Sequence, residues 1–103
     1  MDENDTTSRL VRAALDALTR AYDDATEGIT TMSDAQQAFE DATELADLLR
    51  DLAEAAANLR SRTVRRIWEE EQMSLAALAE RIGVSKARAG QLINAAKIPK
   101  EKQ

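Results

Sequence analysis

The 103-residue sequence contains no cysteine and no histidine. Without cysteine there is no disulfide, no thiolate nucleophile and no thiolate-ligated zinc. Without histidine the commonest metal ligand and the usual general base at neutral pH are missing as well. One Trp, one Tyr and one Phe leave any core to be packed from Leu and Ala. One Pro and three Gly leave few places to interrupt a helix. No β-branched run alternates over strand length, and no apolar run approaches the length of a membrane span. The opening MDENDTTS is acidic and polar, unlike the basic start of a secretion signal, so the sequence predicts a soluble cytoplasmic protein. Carboxylates are plentiful over residues 16–54, but no metal-ligand spacing and no Gly-rich phosphate loop accompanies them. The expectation is therefore a non-enzymatic chain with no cofactor and no metal.

What is present is Ala, Leu, Glu, Asp and Arg in long unbroken stretches. Four of these are strong helix formers, and Asp serves mainly at helix starts. The predicted fold class is all-α: an N-terminal antiparallel helical hairpin followed by a three-helix unit. The net charge of −5 conceals a division. Residues 1–58 carry 14 Asp or Glu against four Arg, whereas residues 59–103 carry ten Lys or Arg against five Glu. An acidic first half and a basic second half imply two tasks on one chain, and they remove the objection that a low overall pI raises to nucleic-acid binding.

In chain order, residues 1–8 read as a disordered acidic end. Ser8 is placed to cap a helix over 9–27, whose apolar positions Val11, Leu15, Leu18, Tyr22 and Ala25 recur at intervals of 4, 3, 4 and 3. Gly28 is expected to stop it. Ser33, with Gln36 three residues on, has the pattern of a capping box opening a second helix, and Asp34 suits the positive end of the helix dipole. No Gly or Pro occurs between residues 33 and 82. A heptad seam runs through Ala38, Ala42, Leu45, Leu49, Leu52, Ala56 and Leu59 and fails at Arg66, where the apolar positions shift to Val64, Ile67 and Trp68. A break or change of face is predicted near 58–61, followed by a third helix over 62–72 or by the second helix bending into that stretch. Domain bounds follow: an acidic hairpin over 9–60, the three-helix unit over 61–97, and a basic tail over 98–103 that Pro99 bars from helix.

The stretch SLAALAERIGVSKARAGQLINAAK, residues 74–97, shows helical spacing at Leu75, Leu78, Ala79 and Ile82. One apolar residue, Val84, then falls in a turn, and helical spacing resumes at Ala89, Leu92, Ile93 and Ala96. Gly83 stands where a left-handed residue closes a helix, and Ser74 and Ser85 stand where N-caps are needed. This is the pattern of two short helices across a tight turn, with the second able to enter a DNA major groove. Residues 62–97 resemble the trihelical helix-turn-helix of bacterial and phage repressors, and especially the "LA..LGVS..R..Q" signature of sigma-factor region 4 and related small actinobacterial regulators. The residues carrying the resemblance are Leu75, Leu78, Ala79, Ile82, Gly83, Val84, Ser85, Arg88, Gln91 and Leu92. It implies that Ala79 is the small residue at the helix crossing and Gly83 the turn glycine. Ala89 departs from the family's Val or Ile, which predicts looser packing there. Gly90 inside a helix costs up to about 1 kcal/mol against Ala and is expected to allow a close approach to DNA or to the preceding helix.

The expected function is sequence-specific binding of double-stranded DNA by a small, dimeric, nucleoid-associated transcriptional regulator, with helix 86–97 as the reading element. Lys86, Ala87, Arg88, Gln91 and Asn94 are the candidates for base contact: cations for guanine, amides for adenine, a methyl for thymine. Ser85, Arg62, Arg65, Arg66, Lys97 and Lys100 are candidates for phosphate contact. Arg62, Arg65 and Arg66 have a second reading as helical ion pairs with Glu69 and Glu70, and the 69–71 glutamates read as a solvated face. Trp68 reads as core. The acidic hairpin is expected to join two copies into a four-helix bundle. Two alternatives stand beside this. The hairpin can be the grip of an antitoxin-like or anti-activator adaptor on a partner protein, or the helix-turn-helix can itself contact protein.

Overall fold

A computed structural model describes residues 3–96. Among these, four α-helices and no strand occur: α1 (Glu3–Thr30), α2 (Ala35–Glu71), α3 (Leu75–Ile82) and α4 (Lys86–Ala95). The all-α class follows from the helix-forming composition. No helix among the described residues is long and apolar enough to cross a membrane.

The first helix is longer than its apolar pattern indicates. It begins at Glu3, so residues 3–8 are helical and Ser8 lies inside the helix instead of capping it. Glu3 and Asp5 in the first turn complement the positive end of the helix dipole, which offsets the lack of an apolar stripe there. Gly28 does not stop the helix, which runs on to Thr30. The hydroxyls of Thr30 and Thr31 donate to the Glu27 carbonyl at 3.1 and 2.9 Å, satisfying a terminal acceptor that a left-handed glycine would otherwise serve. The cap of α2 is Asp34, not Ser33. Its Oδ1 accepts from the backbone N–H of Gln36 and Gln37 at 3.0 and 3.2 Å. The Gln36 amide donates forward to Glu40 and does not reach back, so no capping box forms.

Of the two alternatives near 58–61, the structure shows the change of face and not the break, and residues 62–71 are the last part of α2 instead of a separate helix. With neither Gly nor Pro in its 37 residues, nothing in the chain interrupts the hydrogen-bond ladder. The helix ends at Gln72, which takes a left-handed φ of 47°. What changes near residue 60 is the buried face. Leu49, Leu52, Ala56 and Leu59 of the seam are exposed, whereas Ser61 and Val64 are buried. At 100° per residue these two faces lie roughly 130° apart. The heptad register therefore fails at Arg66 because the last third of α2 buries its opposite side.

The chain divides into two compact units within α2, between Asp47 and Leu48. In the first, every residue from 3 to 24 is exposed. The apolar stripe of α1 lies open, from Leu10 at 66% to Leu15 at 44%. Ala25, Thr26 and Ile29 of α1 and Ala38, Asp41 and Leu45 of α2 are half-buried. The second unit holds the core. Val64 of α2, Leu78 and Ala79 of α3, and Ala89, Leu92 and Ile93 of α4 are buried together, with Ile67, Trp68, Met73, Leu75, Ile82 and Val84 packed around them. Leu78 and Ala89 are both wholly covered at 0% exposure. The packing at Ala89 is thus closed, not loose.

Candidate nucleic-acid interface

Local chemistry fixes the turn between α3 and α4. Ser74 caps α3, its hydroxyl accepting from the Ala77 N–H at 3.1 Å. At the other end Gly83 adopts φ 76°, ψ 35°, a conformation only glycine enters without strain. The Gly83 and Val84 N–H groups close back on the Glu80 and Ala79 carbonyls at 3.3 and 2.9 Å. Val84 then tucks its side chain against the core. Ser85 caps α4 by accepting from the Arg88 N–H at 3.0 Å. Two caps and one left-handed glycine hold α3 and α4 in contact across three residues.

This placement sorts the residues of α4. Ala89, Leu92 and Ile93 are buried, and all five base-contact candidates, Lys86, Ala87, Arg88, Gln91 and Asn94, are exposed. On a helical projection Ala87, Gln91 and Asn94 form one stripe directly opposite the buried one, with Lys86 and Arg88 flanking it. No Asp or Glu occurs between residues 81 and 100, so no carboxylate of this segment opposes an anion on that face. Arg88 also borders a groove of about 220 Å³ whose other wall is Glu54, Ala57, Asn58, Arg60 and Ser61 of α2.

Gly90 is half-buried and turned toward α3. A Cβ built on it meets only the Leu75 Cδ2 at 3.6 Å, an ordinary contact. The helix pair does not require glycine at that point, contrary to the expectation of a close approach to the preceding helix.

The phosphate candidates divide. Ser85 and Arg62 are exposed. The Ser85 hydroxyl oxygen accepts in the cap, and its O–H can still donate to a phosphate. Arg65 donates to Glu69 at 3.0 Å, and its guanidinium reaches the Ile93 carbonyl near the end of α4 at 3.5 Å. Arg66 pairs with Glu70 at 3.0 Å. These are the helical ion pairs of the second reading, and such exposed i,i+4 pairs are worth only a few tenths of a kcal/mol, weak enough for a phosphate to displace. Lys97 and Lys100 lie outside the described residues.

The 69–71 glutamates are exposed, as a solvated face is, and each also has an arginine partner. Glu71 receives two bonds from Arg81, at 2.7 and 2.8 Å, which clamp the end of α2 to α3. The Arg81 hydrogen bonds, more than its charge, hold the Glu71 carboxyl below the ordinary carboxylate range and raise Arg81 in turn. The spacing of ten residues gave no helical signal for this pair. Trp68 packs on the core, as read from its place in the sequence.

Comparison of the chain with protein-family models, with curated proteins and with solved structures finds no match.

Proposed function

We propose that the chain is a small, dimeric, sequence-specific DNA-binding regulator whose α4 enters the major groove as the second helix of a helix-turn-helix. One observation carries the reading. The face of α4 opposite its buried stripe presents Ala87, Gln91 and Asn94 between Lys86 and Arg88, and α4 contains no carboxylate. These five residues contact bases; Ser85, Arg62 and Arg66 contact phosphates, with Arg65 serving chiefly to hold the end of α4. The acidic helices keep the first unit off the DNA and join two copies, through the seam 38–59 and the α1 stripe. The protein acts in the cytoplasm on the nucleoid, without cofactor or catalytic step.

A fluorescence titration against mixed duplexes at several salt concentrations tests this. About four phosphates neutralised by a dimer, from Arg62 and Arg66 of each copy, give a slope of about −4 in log K against log salt. Lys86→Ala with Gln91→Ala removes about 1–3 kcal/mol of discrimination per lost base pairing while leaving the thermal midpoint in place. A chain that binds no duplex at low salt overturns the regulator reading. The exposed apolar stripe of α1 would then favour the adaptor, with a partner protein gripped by the acidic helices.

A further inference from the structure

The seam of α2 is exposed along most of its length, yet it is apolar and wide. Beyond the core heptad positions it includes Phe39 and Leu48 on its flanks, both exposed, together with Ala46, Ala53 and Ala55. A stripe of that width suits a bundle with more than one neighbouring helix, whereas a two-stranded coiled coil carries charge at the flanking positions. The identity and direction of the covering partner follow from charge. Residues 23–47 carry eight Asp or Glu and no Lys or Arg, whereas residues 48–66 carry five Arg against two acids. The polarity reverses at the midpoint of the seam, which lies between Leu48 and Leu49.

We propose that the partner is a second copy of this chain, and that the two α2 helices pair antiparallel about a two-fold axis beside Leu49. This rests on the dimer assumed above and adds its orientation. Antiparallel pairing lays the seam on itself, Ala38 beside the partner's Leu59 and Leu45 beside the partner's Leu52. It sets Glu40, Asp41, Glu44 and Asp47 of each copy along residues 50–57 of the other, which carry Arg50, Asp51 and Glu54, with Asp47 opposite Arg50 and with Glu40 and Asp41 within about a turn of Arg60. Parallel pairing sets the same carboxylates against themselves, and like charges in register are destabilising. The interface is isologous, as a closed two-fold pair requires. The stripe of α1, from Leu10 to Tyr22, supplies the flanking helices of the resulting four-helix bundle.

The chain has no native cysteine, so single cysteines report the orientation directly. Ala38 is half-buried and Leu59 exposed, and neither belongs to the core, so both substitutions leave the second unit intact. Under mild oxidation at tens of micromolar, an equimolar mixture of Ala38→Cys and Leu59→Cys chains should yield the mixed disulfide dimer. It should exceed either self-linked species by tenfold or more. Ala38→Cys self-linking as the main product overturns the antiparallel arrangement. A monomeric mass at that concentration, with helicity retained in the far-ultraviolet, overturns self-association altogether. Neither measurement involves DNA, so failure here is separable from failure of the DNA titration.

Discussion

Gly90 sits in the middle of a helix whose backbone does not need it. An added methyl meets the Leu75 side chain at an ordinary 3.6 Å, and the usual cost of a helical glycine is then recovered. Gly90→Ala should raise stability by up to about 1 kcal/mol, read as a higher urea midpoint. Gln72 presents the converse case. It closes α2 with φ 47°, a left-handed conformation that costs a residue with a Cβ roughly 1 kcal/mol and glycine almost nothing. Gln72→Gly should therefore also stabilise, and the same denaturation measurement checks it. A lower midpoint in either variant would mean that the side-chain space or the backbone angle described above is wrong.

Among the elements, α3 is the one on which the second unit depends. Its Leu78 is fully covered within a core of six buried residues, so no neighbour can collapse far enough to fill its loss. Leu78→Ala should cost about 2–5 kcal/mol. The signal is Trp68 fluorescence during denaturation, since Trp68 packs on that core. Leu18→Ala on the open face of α1 should leave the Trp68 transition where it is and weaken association instead. The reach of sequence reasoning divides along the same lines. The turn at Gly83, both serine caps, the core of α3 and α4 and the exposed stripe of α4 were all legible, because each has a signal within four residues of itself. Helix ends were less so. Ser8 and Ser33 carry cap chemistry, but Glu3 and Asp5 extend α1 past the first and Asp34 supersedes the second. The continuity of α2 was obscured because the change of buried face at Ser61 and Val64 resembles a helix break when read as periodicity. The Glu71–Arg81 clamp joins two elements, and no local rule pairs residues across a turn.

At the scale of the whole molecule, that clamp makes folding sensitive to acid. The Glu71 carboxyl titrates lower when folded than when unfolded. Its contribution is therefore complete above the ordinary carboxylate range and is lost as pH falls through the depressed folded value. The difference in denaturation midpoint between the parent and Glu71→Gln should stay constant above about pH 5 and shrink on acidification. A gap that persists unchanged to low pH would show that Glu71 acts through its size and not its charge. The uninterrupted α2 has a further consequence, for what lengths of chain are tolerated. It presents one face to the seam and nearly the opposite face to the core, so it acts as a phase gear. Inserting a single residue between Leu59 and Ser61 turns the two faces by about 100° relative to each other, and seven residues restore them to within about 20°. With the seam paired as proposed, length changes in this helix are tolerable only in steps near whole numbers of paired turns, and a loop of equal length would impose no such rule.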